Sequence, residues 1–271
     1  MKSTGLDKVL CAAFSGLMLC SVVGSTEPPA NSVTVIHNHT SGKSKAEISA
    51  RGCLSMYIKV HDKVVLFDTG IEASSPLQNL DTLGLDETAV DAVVLSHEQP
   101  EQVHGLLDVL SANEMKPKVF VPAPAGEAIS KMLPGANVVA VSKPVGVVRD
   151  AWLMGPLQSE NNGEELTEQV LVIDEPSGLV IVAGCSHPDV VSIVKEVKAV
   201  FGARKVKMVA GGFHFQGTSR NEIKETSLGL QTMGINQLAL GSCAGESALK
   251  IFRKEWGVRL LSFNEGDTVG F

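Results

Sequence analysis

The sequence has 271 residues, of which 44% are hydrophobic and 20% are charged, and its formal net charge is -7. A chain of this length and composition supports a sizeable core and is within the range of a single large α/β domain. Its acidic balance excludes a nucleic-acid-binding protein, because such a protein needs a basic stripe to neutralise phosphates and none is visible.

The N-terminus has the features of a signal peptide. Lysines precede an apolar stretch over residues 9–23, and the small residues Gly24 and Ser25 follow it. The apolar stretch is short for a membrane span, which needs about 20 residues. We therefore predict a signal peptide over residues 1–25 and a periplasmic or secreted protein. A membrane contact is expected only if Cys20 is lipidated or the signal stays uncleaved.

Strands and helices alternate over the predicted domain, residues 32–271. Runs of β-branched residues favour strands, and the recurrence of Val103, Leu106 and Leu110 at about one turn favours a helix. In the first half we predict strands at residues 32–37, 53–60, 63–67, 89–96 and 118–121, and helices at residues 101–110 and 126–133.

The second half has the same alternation. Pro188 is predicted in the first turn of a helix, a position that tolerates proline, and Gly234 is predicted to end a later helix. Strands are predicted at residues 169–174, 178–183, 205–210 and 237–240, and helices at residues 188–200, 222–233 and 246–256. The pattern predicts two mixed β-sheets packed between helices.

Several predicted strands are followed directly by chemically reactive side chains. These are Asp68, His97, Cys185, His187, His214 and Cys243. Because loops converge at the ends of strands in an α/β fold, we expect Asp68 and the three histidines to share one site. His37, His39 and His61 lie in an early loop or turn and are predicted to be surface residues.

Short motifs accompany these strand ends in a fixed order. They are Phe-Asp-Thr-Gly at 67–70, Ser-His at 96–97, Gly-Cys-Ser-His at 184–187, Gly-Phe-His at 212–214 and Ser-Cys-Ala-Gly at 242–245. Together they resemble the metallo-β-lactamase fold superfamily, and within it the branch of dihydropteroate-synthase-like and ribofuranosylaminobenzene phosphate synthase-like proteins. The resemblance spans residues 33–271.

The resemblance implies a four-layer αββα sandwich, in which two mixed β-sheets are flanked by helices and metals lie between their loop edges. It also implies that His97 and His187 are metal ligands and that His214 belongs to the same site. Asp68 would orient a ligand histidine or hold the loop, as carboxylates beside metal-bound histidines commonly do.

The chain departs from the family pattern at four ligand positions. Active members carry His-x-His-x-Asp-His in the second motif and a histidine in the last motif. Here those positions hold Gln99, Glu101, Gln102 and Ser242. An amide oxygen is a weaker ligand for zinc than an imidazole. Zinc affinity should therefore fall at the first metal position and nearly vanish at the second.

Three interpretations of the altered site remain open. One divalent metal (zinc, manganese or iron) activates a water for hydrolysis or a related transfer, with Glu101 as the proton acceptor. Alternatively, the pocket binds a small ligand without metal, or the domain is a structural or interaction module with a decayed site. The predicted catalytic residues are Glu101 and Asp68, and the predicted metal ligands are His97, Glu101, His187 and His214, with His104 as an alternative to His214.

The cysteines do not form a disulfide framework. Three would remain after signal cleavage, an odd number spread far apart: Cys53, Cys185 and Cys243. The last two flank the predicted pocket. They are interpreted as small buried residues, with a disulfide or a thiolate ligand as alternatives.

Overall fold

The computed structural model describes residues 28–38, 54–70, 76–98, 105–113, 116–161, 163–215 and 217–271. The predicted signal peptide over residues 1–25 lies outside these ranges. Among the helices in the described ranges, none has the length and apolar character needed to span a membrane.

The first sheet combines antiparallel and parallel strands. Its strands are β1 Asn31–Asn38, β2 Leu54–Val60, β3 Lys63–Phe67, β4 Ala92–Val94, β5 Lys118–Pro122 and β6 Asn137–Val141, with a late strand, Thr268–Gly270, beside β1. β1, β2 and β3 pair antiparallel, whereas β3 to β6 pair parallel. The parallel part places the ends of β3 and β4 at one edge.

The second sheet repeats this mixed organisation. Its strands are β7 Val145–Val148, β8 Ala151–Asn161, β9 Glu164–Glu175, β10 Gly178–Ala183, β11 Val206–Gly211, β12 Gln237–Leu240 and β13 Leu260–Leu261. β7 to β10 pair antiparallel, and β10 to β13 pair parallel. The Thr268–Gly270 strand of the first sheet is β14. The prediction of two mixed sheets is confirmed.

Helices cover the outer face of each sheet. They are α1 Pro76–Thr82, α2 Leu106–Ala112 and α3 Gly126–Met132 on the first sheet, and α4 Val190–Phe201, α5 Arg220–Thr232 and α6 Glu246–Trp256 on the second. Short 3-10 helices occur at Glu87–Ala89, Ala123–Ala125, Ser242–Ala244 and Gly257–Arg259. The layer order is helix, sheet, sheet, helix, as the resemblance implied.

The main core lies between the two sheets. Alternate side chains of a strand point to opposite faces, so Met56 and Ile58 of β2 join the inner cluster with Val180 and Val182 of β10. The intervening side chains face the helices, as Ile181 does in the cluster that includes α4. Burial of these apolar faces fixes the register of both sheets.

Several elements differ from the sequence predictions: β6, β7, β8 and α1 were not predicted, and α4 begins later than predicted. Strand β8 was missed because Gly155 and Pro156 argue against a strand, and the register shifts between Met154 and Leu157 to accommodate them. Helix α4 begins after Asp189, whose carboxylate accepts hydrogen bonds from the backbone N–H groups of Val191 and Ser192.

The prediction of a surface loop position was wrong for His37. This residue lies in β1, and its side chain is only 13% exposed. The β-branched run before it continues through His37 because β2 pairs with it there. His61 occupies the turn between β2 and β3 and is partly exposed. His39 lies outside the described residues.

Candidate metal centre

The described site residues meet where strands of both sheets end. From the first sheet, Asp68 follows β3 and His97 comes shortly after β4. From the second sheet, His187 follows β10 and His214 follows β11. The structure thus brings together the histidines that the sequence predicted to share a site, at the edge where α/β folds gather their functional groups.

His97 is held by a hydrogen-bonded chain that ends at Asp68. The Ser96 hydroxyl donates to Asp68 Oδ2 at 2.7 Å, and Ser96 Oγ lies 2.7 Å from His97 Nδ1. With Asp68 ionised, the Ser96 oxygen accepts from His97 Nδ1–H, so the lone pair of the imidazole is on Nε2. This is the tautomer that a metal bound through Nε2 requires.

Asp68 lies behind His97 and is fully buried. The Ser96 backbone N–H donates to Asp68 Oδ1 at 2.7 Å, and the Ser55 hydroxyl donates to the Asp68 carbonyl oxygen at 2.6 Å. Burial raises the pKa of Asp68 well above its usual value, although the two hydrogen bonds from Ser96 act in the opposite direction. The Asp68 carboxylate therefore acts on the site through Ser96.

Glu168 is a residue of the candidate site that the sequence analysis missed. It lies on β9 and is 1% exposed. Its Oε1 atom is 3.0 Å from His187 Nδ1 and 3.5 Å from His97 Nδ1, and its Oε2 atom accepts from the His187 backbone N–H at 2.9 Å. One carboxylate thus fixes both histidine rings by their Nδ1 atoms. The available signal was an acidic residue between Leu166 and Val170, at the start of an apolar strand.

The next residue along β9 joins the two sheets at this point. The Gln169 backbone N–H donates to the Ser96 carbonyl oxygen at 2.9 Å, and Gln169 Nε2 donates to the Leu95 carbonyl oxygen at 2.8 Å. The loop that carries His97 is therefore anchored to the opposite sheet by backbone and side-chain hydrogen bonds.

His187 is the central ring of the site. Its ring centroid is 5.1 Å from that of His97 and 4.8 Å from that of His214. Burial of His214 lowers its pKa, the neighbouring His187 lowers it further, and Glu168 acts in the opposite direction. A neutral imidazole is the form that binds a metal.

Cys185 lies beside His214. The Cys185 Sγ atom is 3.4 Å from His214 Nδ1, and the His214 backbone N–H donates to the Cys185 carbonyl oxygen at 3.0 Å. Cys185 is buried, and neither it nor Cys243 forms a disulfide. Burial raises the pKa of the Cys243 thiol to about 11.

Two glycines permit this close packing of loops. A Cβ atom at Gly184 would lie 2.1 Å from Ser96 Oγ, and one at Gly212 would lie 2.2 Å from the Gly184 carbonyl oxygen. Neither distance is possible for real atoms, so a larger residue would push the loop after β10 away from Ser96. The Gly-Cys-Ser-His motif can therefore reach His97 only with glycine at its start.

Ser242, at the position of the family's late histidine, is tied to the first sheet. Its backbone N–H and its hydroxyl both donate to Asn38 Oδ1, at 2.9 Å and 2.5 Å. Asn38 Nδ2 in turn donates to the Phe263 carbonyl oxygen at 2.7 Å. A hydrogen-bonded connection between β1 and the end of β12 is thus formed at the position where the family pattern has a histidine ligand.

The remaining predicted ligand positions lie outside the described residues. These are Gln99, Glu101, Gln102 and His104. Glu98, next to His97, lies at the surface, and partial desolvation of its carboxyl by the surrounding protein raises its pKa.

The donor set suits a borderline divalent cation. Potential ligand atoms of His97, Glu168 and His187 lie within 4.8 Å of one another, and so do those of Cys185, His187 and His214. Ligands bound at about 2.0–2.3 Å are at most about 4.6 Å apart, so the cluster of Cys185, His187 and His214 has nearly the dimensions of a metal site. In the other cluster, Glu168 lies against the Nδ1 atoms of both histidines and is their carboxylate partner. Imidazole and thiolate donors favour zinc-like cations, and His187 belongs to both clusters.

Comparisons with known proteins agree with this architecture. A family model described as the metallo-β-lactamase superfamily matches residues 48–125. The 7,8-dihydropterin-6-methyl-4-(β-D-ribofuranosyl)-aminobenzene-5'-phosphate synthase of Methanocaldococcus jannaschii is 26% identical over 262 residues, which cover 80% of this chain and 89% of that protein.

Solved structures show the same fold. This chain is similar to the crystal structure of a metal-dependent hydrolase of the β-lactamase superfamily, with a TM-score of 0.71 and 24% identity. The match covers 89% of this chain and 99% of the hydrolase. The metallo-β-lactamase fold protein YhfI of Bacillus subtilis has a TM-score of 0.60 and 14% identity, covering 89% and 98%. This chain has the metallo-β-lactamase fold, and the resemblance inferred from its motifs is confirmed.

Proposed function

We propose that this protein is a metal-dependent enzyme that hydrolyses a small-molecule substrate or transfers one of its groups. The proposed site holds a single divalent cation through imidazoles of His187, His97 and His214. One observation carries the proposal: the buried carboxylate of Glu168 contacts the Nδ1 atoms of both His97 and His187. Such a carboxylate is the usual partner of metal-bound histidines, because it fixes the tautomer and the ring orientation.

The chain's own residues have distinct roles in this proposal. A bound divalent cation would supply a Lewis acid and lower the pKa of a water molecule. Glu168 holds a proton on Nδ1 of His187, and the Ser96–Asp68 pair holds one on Nδ1 of His97, so that Nε2 of each carries the lone pair. Glu101 remains our proposed proton acceptor, a role that suits a carboxylate close to the attacking water.

A single cation accounts for the altered ligand set better than a pair. The second position of the family pattern would need the residues at 102 and 242, which are Gln102 and Ser242. Ser242 is engaged with Asn38 through two hydrogen bonds. The described imidazoles gather instead around His187, which supports one metal position.

A cavity next to His187 supports a small-molecule substrate. Its volume is about 230 Å³, and its lining residues include Ser186, His187, Asp189, Phe213, His214 and Glu222. The carboxylates of Asp189 and Glu222 in this lining repel a phosphate group on this side of the site, because both groups are negatively charged. The M. jannaschii relative is named for a phosphorylated product. We therefore propose an unphosphorylated substrate group in this cavity, next to His187.

Metal analysis tests the proposed function directly. Protein purified without chelators, or reconstituted with zinc, manganese or iron, should contain one metal ion per chain. His97→Ala and His187→Ala should each lose it. His61→Ala is the matched control, because His61 is a partly exposed histidine paired with Asp150 away from the site. If the wild type holds no metal above background after reconstitution, the function is instead binding or structural.

A further inference from the structure

Cys185 has the position and surroundings of a metal ligand. Its Sγ atom is 3.4 Å from His214 Nδ1. Cys185, His187 and His214 each have one potential ligand atom within 4.8 Å of the other two. Neighbouring ligands around a tetrahedral zinc ion are separated by about 3.3–3.8 Å. The separation of the sulfur and the imidazole nitrogen is therefore that of two ligands of one cation.

The orientation of His187 agrees with this arrangement. Glu168 Oε1 is 3.0 Å from His187 Nδ1, so this nitrogen carries the proton that the carboxylate accepts. The lone pair of His187 is then on Nε2, at the opposite edge of the ring from Glu168. A carboxylate–histidine pair followed by a buried thiol and a second imidazole is a donor set suited to zinc.

We infer that Cys185 binds the cation as a thiolate, together with His187 and His214, and that the protein consequently selects zinc over manganese and magnesium. This inference rests on the proposed function, because it assigns a further ligand to the same cation. On binding, the Sγ–H bond breaks, an Sγ–metal bond forms, and the proton leaves to solvent. Thiolates favour zinc and other cations of similar softness, whereas manganese and magnesium favour oxygen ligands.

Cys243 provides an internal control for this inference. It lies close to Cys185, since a Cβ atom at Gly212 would be 2.8 Å from Cys243 Sγ and 3.1 Å from Cys185 Cα. However, burial raises the pKa of the Cys243 thiol to about 11. Among the described clusters of possible ligand atoms, Cys185 belongs to one that includes two histidines, and Cys243 belongs to none.

Cobalt substitution distinguishes a thiolate ligand from an imidazole-only site. Co²⁺ added to the metal-free full chain should produce a near-ultraviolet thiolate-to-cobalt charge-transfer absorption, with bound cobalt counted by elemental analysis. The absorption should disappear in Cys185→Ser and persist in Cys243→Ser. Zinc affinity should fall at least about tenfold in Cys185→Ser, as it does when the ligand environment of a metal is disrupted, and manganese affinity should change little.

The outcomes separate this inference from the proposed function. Cobalt bound stoichiometrically without the absorption, or with an absorption that survives in Cys185→Ser, would overturn the assignment of Cys185 and leave the metal-dependent function standing. Absence of any bound cobalt or zinc in the folded wild type would overturn both. His214→Ala gives an independent check, because it should weaken the absorption without removing the thiol.

Discussion

Replacing Glu168 with glutamine tests the interaction between the Glu168 carboxylate and the two histidines, because glutamine has nearly the same side-chain shape. The carboxylate accepts from His187 Nδ1 and the His187 backbone N–H, at 3.0 Å and 2.9 Å, and it lies 3.5 Å from His97 Nδ1. Glutamine offers one accepting oxygen and one amide that only donates. Either the ring or the backbone N–H of His187 would then face another donor.

The expected loss of zinc affinity in Glu168→Gln follows from these contacts. A buried donor left unsatisfied costs about 1–3 kcal/mol, and Glu168 is 1% exposed, so water cannot replace the lost acceptor. Loss of a carboxylate partner of metal-bound histidines typically weakens metal binding about 10–100-fold. We therefore expect Glu168→Gln to reduce zinc affinity by this factor, equivalent to about 1.4–2.7 kcal/mol at about 1.36 kcal/mol per tenfold change.

Competition with a chromophoric zinc chelator measures the affinity, and circular dichroism establishes that the variant is folded. Glu175→Gln is the matched control, because Glu175 is also a buried carboxylate of β9 but accepts from Asn31 Nδ2 at 2.7 Å. It should leave zinc affinity unchanged. An unchanged affinity in folded Glu168→Gln would refute the claim that this carboxylate orients the histidines.

Two further predictions rest on the structure and one rests on the sequence. Asp68→Asn should lower zinc affinity about 10–100-fold without loss of stability in urea. The asparagine amide would donate to the Ser96 hydroxyl, which would then donate to His97 Nδ1 instead of accepting from it. A zinc affinity equal to that of the wild type would contradict the proposed direction of this hydrogen bond. Gly184→Ala should lower the thermal unfolding midpoint because its Cβ would lie 2.1 Å from Ser96 Oγ, whereas Gly241→Ala, whose nearest atom is 3.4 Å away, should not. Equal midpoints for the two variants would argue against the close approach. N-terminal sequencing of the mature protein should give a sequence that begins after the predicted signal peptide, and an intact N-terminus would refute cleavage.

The sequence predicted the parts of the site that follow directly from strand ends. Apolar runs located β3 and β4, and the residues after them, Asp68 and His97, were found from their position alone. The same reasoning placed His187 and His214 in one site. These inferences succeed because a strand that ends at a sheet edge presents the next side chains to a common region.

Interactions between the sheets could not be predicted in the same way. Glu168 contacts His97 from the opposite sheet. The local periodicity of a sequence does not indicate which strands face each other across the core. The connection between Ser242 and Asn38 is likewise long-range, so the sequence revealed a missing ligand but not what replaced it. Strand β8 was hidden because its bulge at Gly155 interrupts the alternation on which strand prediction depends.

The His97 loop of the first sheet is hydrogen-bonded to Gln169 of the second sheet, and the candidate site likewise combines residues of both sheets. Because His97 belongs to one sheet while His187 belongs to the other, a cation that binds both histidines binds only when the two sheets are associated. Folding and metal binding are then linked equilibria, and a free cation at about 100 times its dissociation constant would add about 2.7 kcal/mol to the free energy of unfolding. Hydrogen exchange should accordingly slow in the strands of both sheets at once, including strands far from the ligands.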